Sequence, residues 1–262
     1  MKKSILAGVL IVTAGAAGLM AQAPAPAQGA APAGPKQPTP KNQAEVTAIQ
    51  ALFAAQGNPD AIIKAADDLM TKFADTEFKE LALYMQAEAY QQKKDPTKAQ
   101  VVAEQALAIN PKSYQASIML AELITQQTRE NDLDREEKLG KAEKYAKDAI
   151  ANVKDAVKPN PQVSDAQWDE FKKGISARAH SAIGLGNLTR KKYDVAAAEF
   201  KTAADDDPQP AYLVREASAL QSSGKNTEAA EICDKLLADP NLHPAIKQVA
   251  TQIKTQATAA KK

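Results

Sequence analysis

Between residues 42 and 257 the apolar positions of the chain follow the three- and four-residue steps of amphipathic helices. Nine prolines, Pro59, Pro96, Pro111, Pro159, Pro161, Pro208, Pro210, Pro240 and Pro244, each fall between these periodic stretches rather than inside one. Proline lacks a backbone donor and clashes with the preceding turn, so these residues mark where helices begin or end. The intervals leave room for helices of about 12 to 17 residues, which invites a search for internal repeats.

The repeat is visible in the small residues. In ALYMQAEAYQQKKDPTKAQVVAEQALAINP, residues 82–111, Ala87 is followed after 12 positions by Ala99, then by Ala103 and Ala106, and Pro111 lies 12 beyond Ala99. In RAHSAIGLGNLTRKKYDVAAAEFKTAADDDP, residues 178–208, Gly184 is followed after 12 by Ala196, then by Phe200 and Ala203, and Pro208 lies 12 beyond Ala196. A third copy has Ala217, Ala229, Cys233 and Leu236 with the same 12, 4 and 3 spacings, its Pro240 one place early. A weaker copy has Gln50, Ile62, Ala66 and Leu69. Another keeps Ala142, Ala146 and Ala149, and pairs with Ala121 if about nine residues within 126–138 are inserted.

Packing distance explains the spacing. Two antiparallel helices approach closely where a small residue on the first (Ala87, Ala121, Gly184, Ala217) faces small residues on the second (Ala99, Ala142, Ala196, Ala229). Leu83, Tyr90, Leu120, Ile183, Tyr193, Phe200 and Leu213 then fill the space toward the next pair. A lone helical hairpin cannot bury both apolar faces, so successive pairs must stack. The stretch from Pro244 to Ala257, with Ile246, Val249 and Ile253 on one side and Lys247, Gln248, Lys254 and Gln256 on the other, predicts a terminal helix with a polar outer face. Ser164 and Gln167 form a capping-box pair ahead of Trp168, Phe171, Ile175 and Ala179, which predicts one first helix lengthened by about three turns, over residues 165–191. Trp168 and Phe171 on that extension are the candidates for an exposed aromatic anchor, and packing on the 141–153 helix is the alternative.

At these positions the sequence resembles the tetratricopeptide repeat family over residues 42–257, as about five repeats and a capping helix. The small-residue spacing, Tyr90 or Tyr193 and the closing proline carry the resemblance. The family's tryptophan is missing, and its Leu-Gly pair survives only as Ile183-Gly184. The run KFADTEFKELALYMQAEAY is also similar to a repeat junction in bacterial envelope members of the family. The resemblance implies an all-α, right-handed α-solenoid of stacked antiparallel helix pairs, with first helices lining a concave groove that accepts an extended peptide or a helix of another protein. Carried over, the groove would be lined by Leu81, Tyr84, Glu88 and Gln91; by Gln115, Ile118, Glu122 and Thr125; by Arg178, Ser181, Leu185 and Leu188; and by Ala211, Val214, Ser218 and Gln221. The family's clamp for chaperone tails needs Lys and Asn in the first repeat helix, where Tyr84 and Glu88 stand instead, so that partner is disfavoured.

The N-terminus changes the picture of where the protein works. Lys2 and Lys3 precede an apolar run over residues 5–20 and small residues at Ala21 and Ala23, the layout of a secretory signal peptide with the cut after Ala21. An uncleaved anchor is the alternative, in which case the membrane is touched only through this segment; the run is short against the ~20 residues a bilayer span wants. Residues 22–41 hold six of the 15 prolines and no acidic residue, and read as a Pro/Ala-rich linker with nothing to bury; residues 258–262 are a tail. A secreted, periplasmic protein is the expectation.

Composition narrows the function further. With 33 Lys+Arg against 32 Asp+Glu there is no single-sign field to recruit nucleic acid, and only one cysteine, Cys233, which forms no internal disulfide. Twelve aromatics and 54 alanines suit close-packed helices. No phosphate loop, Gly-x-Ser-x-Gly, His-Glu-x-x-His or Cys-x-x-Cys occurs, and His180 and His243 are the only histidines, so neither catalysis nor a metal or other cofactor is expected. The acids between Asn131 and Glu137 alternate as in a calcium loop but lack its turn glycine. The expectation is a non-catalytic scaffold for another protein or peptide in the cell envelope. The alternatives are an accessory carbohydrate- or peptidoglycan-binding protein and self-association of the chain.

Overall fold

The computed structural model describes residues 38–158, 160 and 162–259. The signal-like segment 1–21, the linker as far as residue 37, Pro159, Pro161 and the last three residues lie outside the described residues. Eleven α-helices and no strand are found among the described residues. They are α1 (Gln43–Ala54), α2 (Pro59–Lys72), α3 (Lys79–Gln92), α4 (Pro96–Ile109), α5 (Tyr114–Gln127), α6 (Arg135–Lys154), α7 (Asp165–Thr189), α8 (Tyr193–Asp206), α9 (Pro210–Ser222), α10 (Asn226–Leu237) and α11 (Pro244–Ala259). Each helix packs on the next, as α1/α2, α3/α4, α5/α6, α7/α8 and α9/α10 hairpins, and α11 closes the end against α9 and α10. The result is an all-α solenoid.

Prolines and polar caps set the helix starts. Pro59, Pro96, Pro210 and Pro244 each open a helix, where the missing donor costs nothing. The side chains of Asn42, Asn58, Asp95 and Ser113 each accept a hydrogen bond from the backbone N–H three residues on. Ser164 and Gln167 close the expected capping box at the start of α7, with Gln167 N–H to Ser164 Oγ at 3.2 Å and Ser164 N–H to Gln167 Oε1 at 3.1 Å. The linker's end is tied down: Thr39 N–H donates to Glu77 at 2.9 Å, Lys41 N–H to the buried Glu45 at 2.6 Å, and the Lys41 ammonium pairs with Asp75.

Four hairpins share a turn. Gly57, Lys94, Lys191 and Gly224 all have positive φ, between 58° and 91°, at the same place in their repeats. In three of them the next residue's N–H returns to a carbonyl five residues back, Asp95 to Tyr90, Lys192 to Asn187 and Lys225 to Leu220, which satisfies the end of the first helix. Lys191 in this conformation is also why α7 stops at Thr189, two residues short of the expected end. At the other end α11 runs to Ala259, two past the expected Ala257, which is itself buried. The fifth hairpin, α5/α6, absorbs the inserted residues as a loop pinned by Arg129 N–H on Asp132 at 3.1 Å, together with a longer start to α6.

Small residues occupy the hairpin contacts. Ala87, Ala99, Ala103, Ala106, Ala121, Ala142, Ala146, Gly184, Ala196, Ala203, Ala217 and Ala229 are all buried, while Pro111 and Pro208 are exposed just beyond α4 and α8. The sizes are matched across each pair. Gly184 stands where α3, α5 and α9 have alanine, and opposite it Phe200 is fully buried where α4 has Ala103. A Cβ on Gly184 would come within 2.7 Å of the Phe200 ring. Trp168 and Phe171 are not an exposed anchor. Trp168 is 7% exposed, its ring stacks on Phe171 at 5.0 Å, and Phe171 meets Tyr114 edge-on at 6.1 Å within the core shared by α5, α6 and α7. The aromatic pair is a packing element because the extension of α7 lies along α6 instead of projecting freely.

Two substitutions test this packing. Gly184→Ala should cost about 1–3 kcal/mol in denaturant unfolding, since the buried ring cannot shift without strain, and Phe200→Leu in the same chain should recover part of it non-additively. Lys191→Gly should raise stability by about 0.5–1 kcal/mol by relieving the left-handed backbone of a residue with a Cβ.

Candidate functional site

The first helices form the inner wall of the solenoid. α5 packs directly on α7, and α9 on α11, each skipping the intervening second helix. First helices therefore sit closer together and line the inside of the curve.

Polar contacts join these inner helices one to the next. Ser113 Oγ at the start of α5 donates to Glu80 of α3 at 2.6 Å. Arg178 of α7 holds Glu122 of α5 through both oxygens, Nε to Oε1 at 2.8 Å and Nη2 to Oε2 at 2.6 Å. Arg215 Nη1 of α9 donates to Ser181 Oγ of α7 at 2.6 Å, and Gln221 of α9 donates to Gln256 of α11 at 2.7 Å. Within α3, Tyr84 Oη donates to Glu88 at 2.7 Å. A two-pronged Arg–carboxylate contact of this kind fixes geometry as well as charge.

Burial controls the ionisation of this wall. Glu80 and Glu88 are held above the usual carboxylate range by desolvation, only partly offset by the Ser113 hydroxyl at Glu80 and by Tyr84 and Arg178 at Glu88. Desolvation and the Glu88 carboxylate raise Tyr84 well above an ordinary phenol, and desolvation with Glu80 raises Tyr114 to about 12. For Arg178, desolvation opposes the charge, but Glu122 outweighs it and the guanidinium is held above its ordinary value.

The wall opens at a cleft of about 100 Å³ between α5, α7 and α9, lined by Glu122, Gln126, Arg178, Ser181, Ala182, Leu185, Tyr212 and Arg215. Glu122, Arg178, Ser181 and Leu185 come from the stripes carried over from the repeat pattern, and the cleft brings these four together. Other members of those stripes stand elsewhere. Ile118 is 1% exposed inside the core of α5, α6 and α7, so it supports the wall instead of lining it. Tyr84 is 5% exposed and occupied by Glu88. Thr125 is buried; Leu81, Glu88, Gln115, Leu188, Ala211, Val214, Ser218 and Gln221 are half-buried, and only Gln91 is exposed. Gln126, Tyr212 and Arg215 were not among the stripes. Each faces a neighbouring first helix, one residue around from the outward stripe, and the i,i+3 spacing of Tyr212 and Arg215 is the signal that marks that second wall.

The other candidates resolve into structural contacts. His180 Nδ1 lies 2.7 Å from Glu199 of α8. Cys233 is fully buried, and burial and Asp234 push its thiol up, away from the reactive thiolate. The acids between residues 131 and 137 are engaged by Lys138 and Arg135, and no group of three or more His, Cys, Asp or Glu that could hold a metal occurs among the described residues.

Comparison with known proteins bears on the fold. No family profile matches the chain, and no curated protein matches its sequence. Among solved structures, MamA from residue 41 to its end, from Desulfovibrio magneticus RS-1, aligns with a TM-score of 0.56 at 14% identity, over 80% of this chain and 97% of that one. A thermophilic TPR protein of Thermus thermophilus aligns at 18% identity and a TM-score of 0.48, over 80% of this chain and 98% of that one. The fold is tetratricopeptide-repeat-like.

The raised carboxylates give this wall a signature in pH. A carboxyl whose folded pKa lies above its unfolded value, near 4.3 for Glu, takes up a proton on folding between the two values, so its contribution to stability grows as pH falls through that window. The difference in melting temperature between the parent chain and Glu80→Gln should therefore move in favour of the parent as pH is lowered from 7 toward 4.5. A difference that is flat with pH would show that Glu80 is not desolvated.

Proposed function

We propose that this protein is a non-catalytic interaction scaffold of the bacterial cell envelope, binding a segment of another protein in the groove formed by its first helices. The observation that carries the binding reading is the cleft between α5, α7 and α9, where charged and hydrogen-bonding groups converge beside the half-buried Leu185. The tetratricopeptide-repeat-like fold, common among protein-interaction scaffolds, supports it. Supporting the envelope location is the sequence itself, with Lys2 and Lys3 ahead of the apolar run over residues 5–20 and the linker that follows. The carbohydrate-binding alternative would want aromatic faces open to a groove, and the only aromatic of the cleft, Tyr212, is 7% exposed.

A photo-crosslinking residue placed at Gln126, and in a second chain at Val101 on α4, tests the reading in intact cells. The expected result is a discrete protein adduct at Gln126, absent at Val101 and lost on adding Leu185→Lys. The same adducts at both positions would remove the groove from the account. Fractionation of the same cells should place the chain with periplasmic markers, and recovery in the cytosol would overturn the location.

A further inference from the structure

The cleft offers more hydrogen-bond donors than its own acceptors use. Its one carboxylate, Glu122, has both oxygens engaged by Arg178. The second guanidinium, Arg215, makes no ion pair among the described residues; its contact is Nη1 on Ser181 Oγ. Having accepted that bond, the Ser181 hydroxyl still holds a proton to donate, and Ser181 is 4% exposed. Tyr212, 7% exposed, lines the cleft with a hydroxyl that makes no hydrogen bond among the described residues. Counting charges over the lining residues, two arginines stand against one glutamate. Three donors, one of them a cation, line a cleft whose one carboxylate is already held by Arg178, and a planar guanidinium with free N–H groups fits a second carboxylate.

We infer that the cleft takes the side-chain carboxylate of a glutamate or aspartate in the bound segment, with Arg215 as its counter-ion, Ser181 and Tyr212 as donors, and Leu185 beneath a neighbouring apolar residue. This deepens the groove reading and rests on it. The cleft, of about 100 Å³, lies between the inner faces of three helices, where a side chain of a segment running along the groove reaches it. Arg178 remains with Glu122, so its role is to neutralise that carboxylate beside the incoming one; Asp207, whose charge also reaches Tyr212, lies outside the lining and opposes the site from there.

The experiment is selection from two random heptapeptide libraries, one with blocked C-termini and one with free C-termini, by the purified protein, Arg215→Gln, Arg215→Lys and Tyr212→Phe. Circular dichroism melts of each variant confirm that it is folded. The expected result is enrichment of an internal Glu or Asp beside an apolar residue in the blocked library. Affinity for a selected peptide should then fall at least about tenfold in Arg215→Gln, less in Arg215→Lys and Tyr212→Phe, and as much when the peptide's acid is changed to its amide. Selected peptides without an acid, or unaffected by Arg215→Gln, would overturn the carboxylate site while leaving the groove reading standing. Enrichment confined to free C-termini would transfer the site to a chain end and overturn the side-chain assignment. If no peptide is retained by the parent protein, the groove reading falls together with this one.

Discussion

Everything in this solenoid depends on how closely the two helices of each hairpin can approach. That distance is fixed where Ala87, Ala121, Gly184 or Ala217 faces its partner helix, positions at which every side chain is one carbon or none. With so little volume at the crossing, the helices contact almost at the backbone, and the larger apolar residues are displaced to the flanks where the next hairpin packs. The variation between hairpins obeys the same constraint. Where the second helix carries Phe200, the first carries Gly184, which gives up the methyl that would strike the ring. The close approach also demands a tight turn, and the left-handed residue that makes it is retained in four hairpins even where it falls on lysine.

The first helices meet through apolar clusters such as Ile118, Ile175 and Ala182, and apolar contact is non-directional, so it does not by itself fix how one hairpin is set along the next. Hydrogen bonds fill that role: Glu80 with Ser113, Glu122 with Arg178, Ser181 with Arg215, Gln221 with Gln256. Such contacts are directional and add little net stability each, but a wrong register would leave the buried partners unsatisfied. On the groove reading proposed above, the polar wall that fixes register is also the surface a partner would meet, so structural and binding roles would be drawn from one set of side chains. The division between them is legible in the pairing: Glu122 and Arg178 satisfy each other, while Arg215 and Tyr212 retain donors facing open space.

The fold was legible in the sequence because its defining signals are local. The 12-residue offset of small residues, the prolines at helix starts and the Ser164–Gln167 capping box each act within a few turns of chain, and no long-range information is needed to place them. The site was legible only in part. A repeat pattern copied from helix to helix marks one outward stripe, and four cleft residues lie on it. A cleft, however, has a second wall made by the face that each helix turns to its neighbour, and which neighbour lies close depends on the packing of every hairpin between them. Ile118 and Tyr84 failed as groove residues for the same reason: they stand on the stripe, but the neighbouring helices close over them. Trp168 misled through composition, since a lone tryptophan on a helix extension looks like an anchor until α6 is found beside it.

That extension explains why the cleft lies where it does. α6 and α7 are 20 and 25 residues long, against 14 for α3 and α4, and the extra turns of α7 carry the stacked Trp168 and Phe171 onto Tyr114 at the start of α5. The aromatic contact clamps α5 to α7 about two turns before Glu122 and Arg178, with Ile118 and Ile175 packed between. Two helices joined at one end by an edge-on ring contact and farther along by a two-pronged ion pair cannot slide or splay independently. The donors of α9, held to α7 through Ser181, therefore face a wall whose geometry is already set, and a ligand entering there would not have to pay for ordering it. Rigid placement of this kind, not bulk charge, is what a protein with 33 cations and 32 anions has available for choosing its partner.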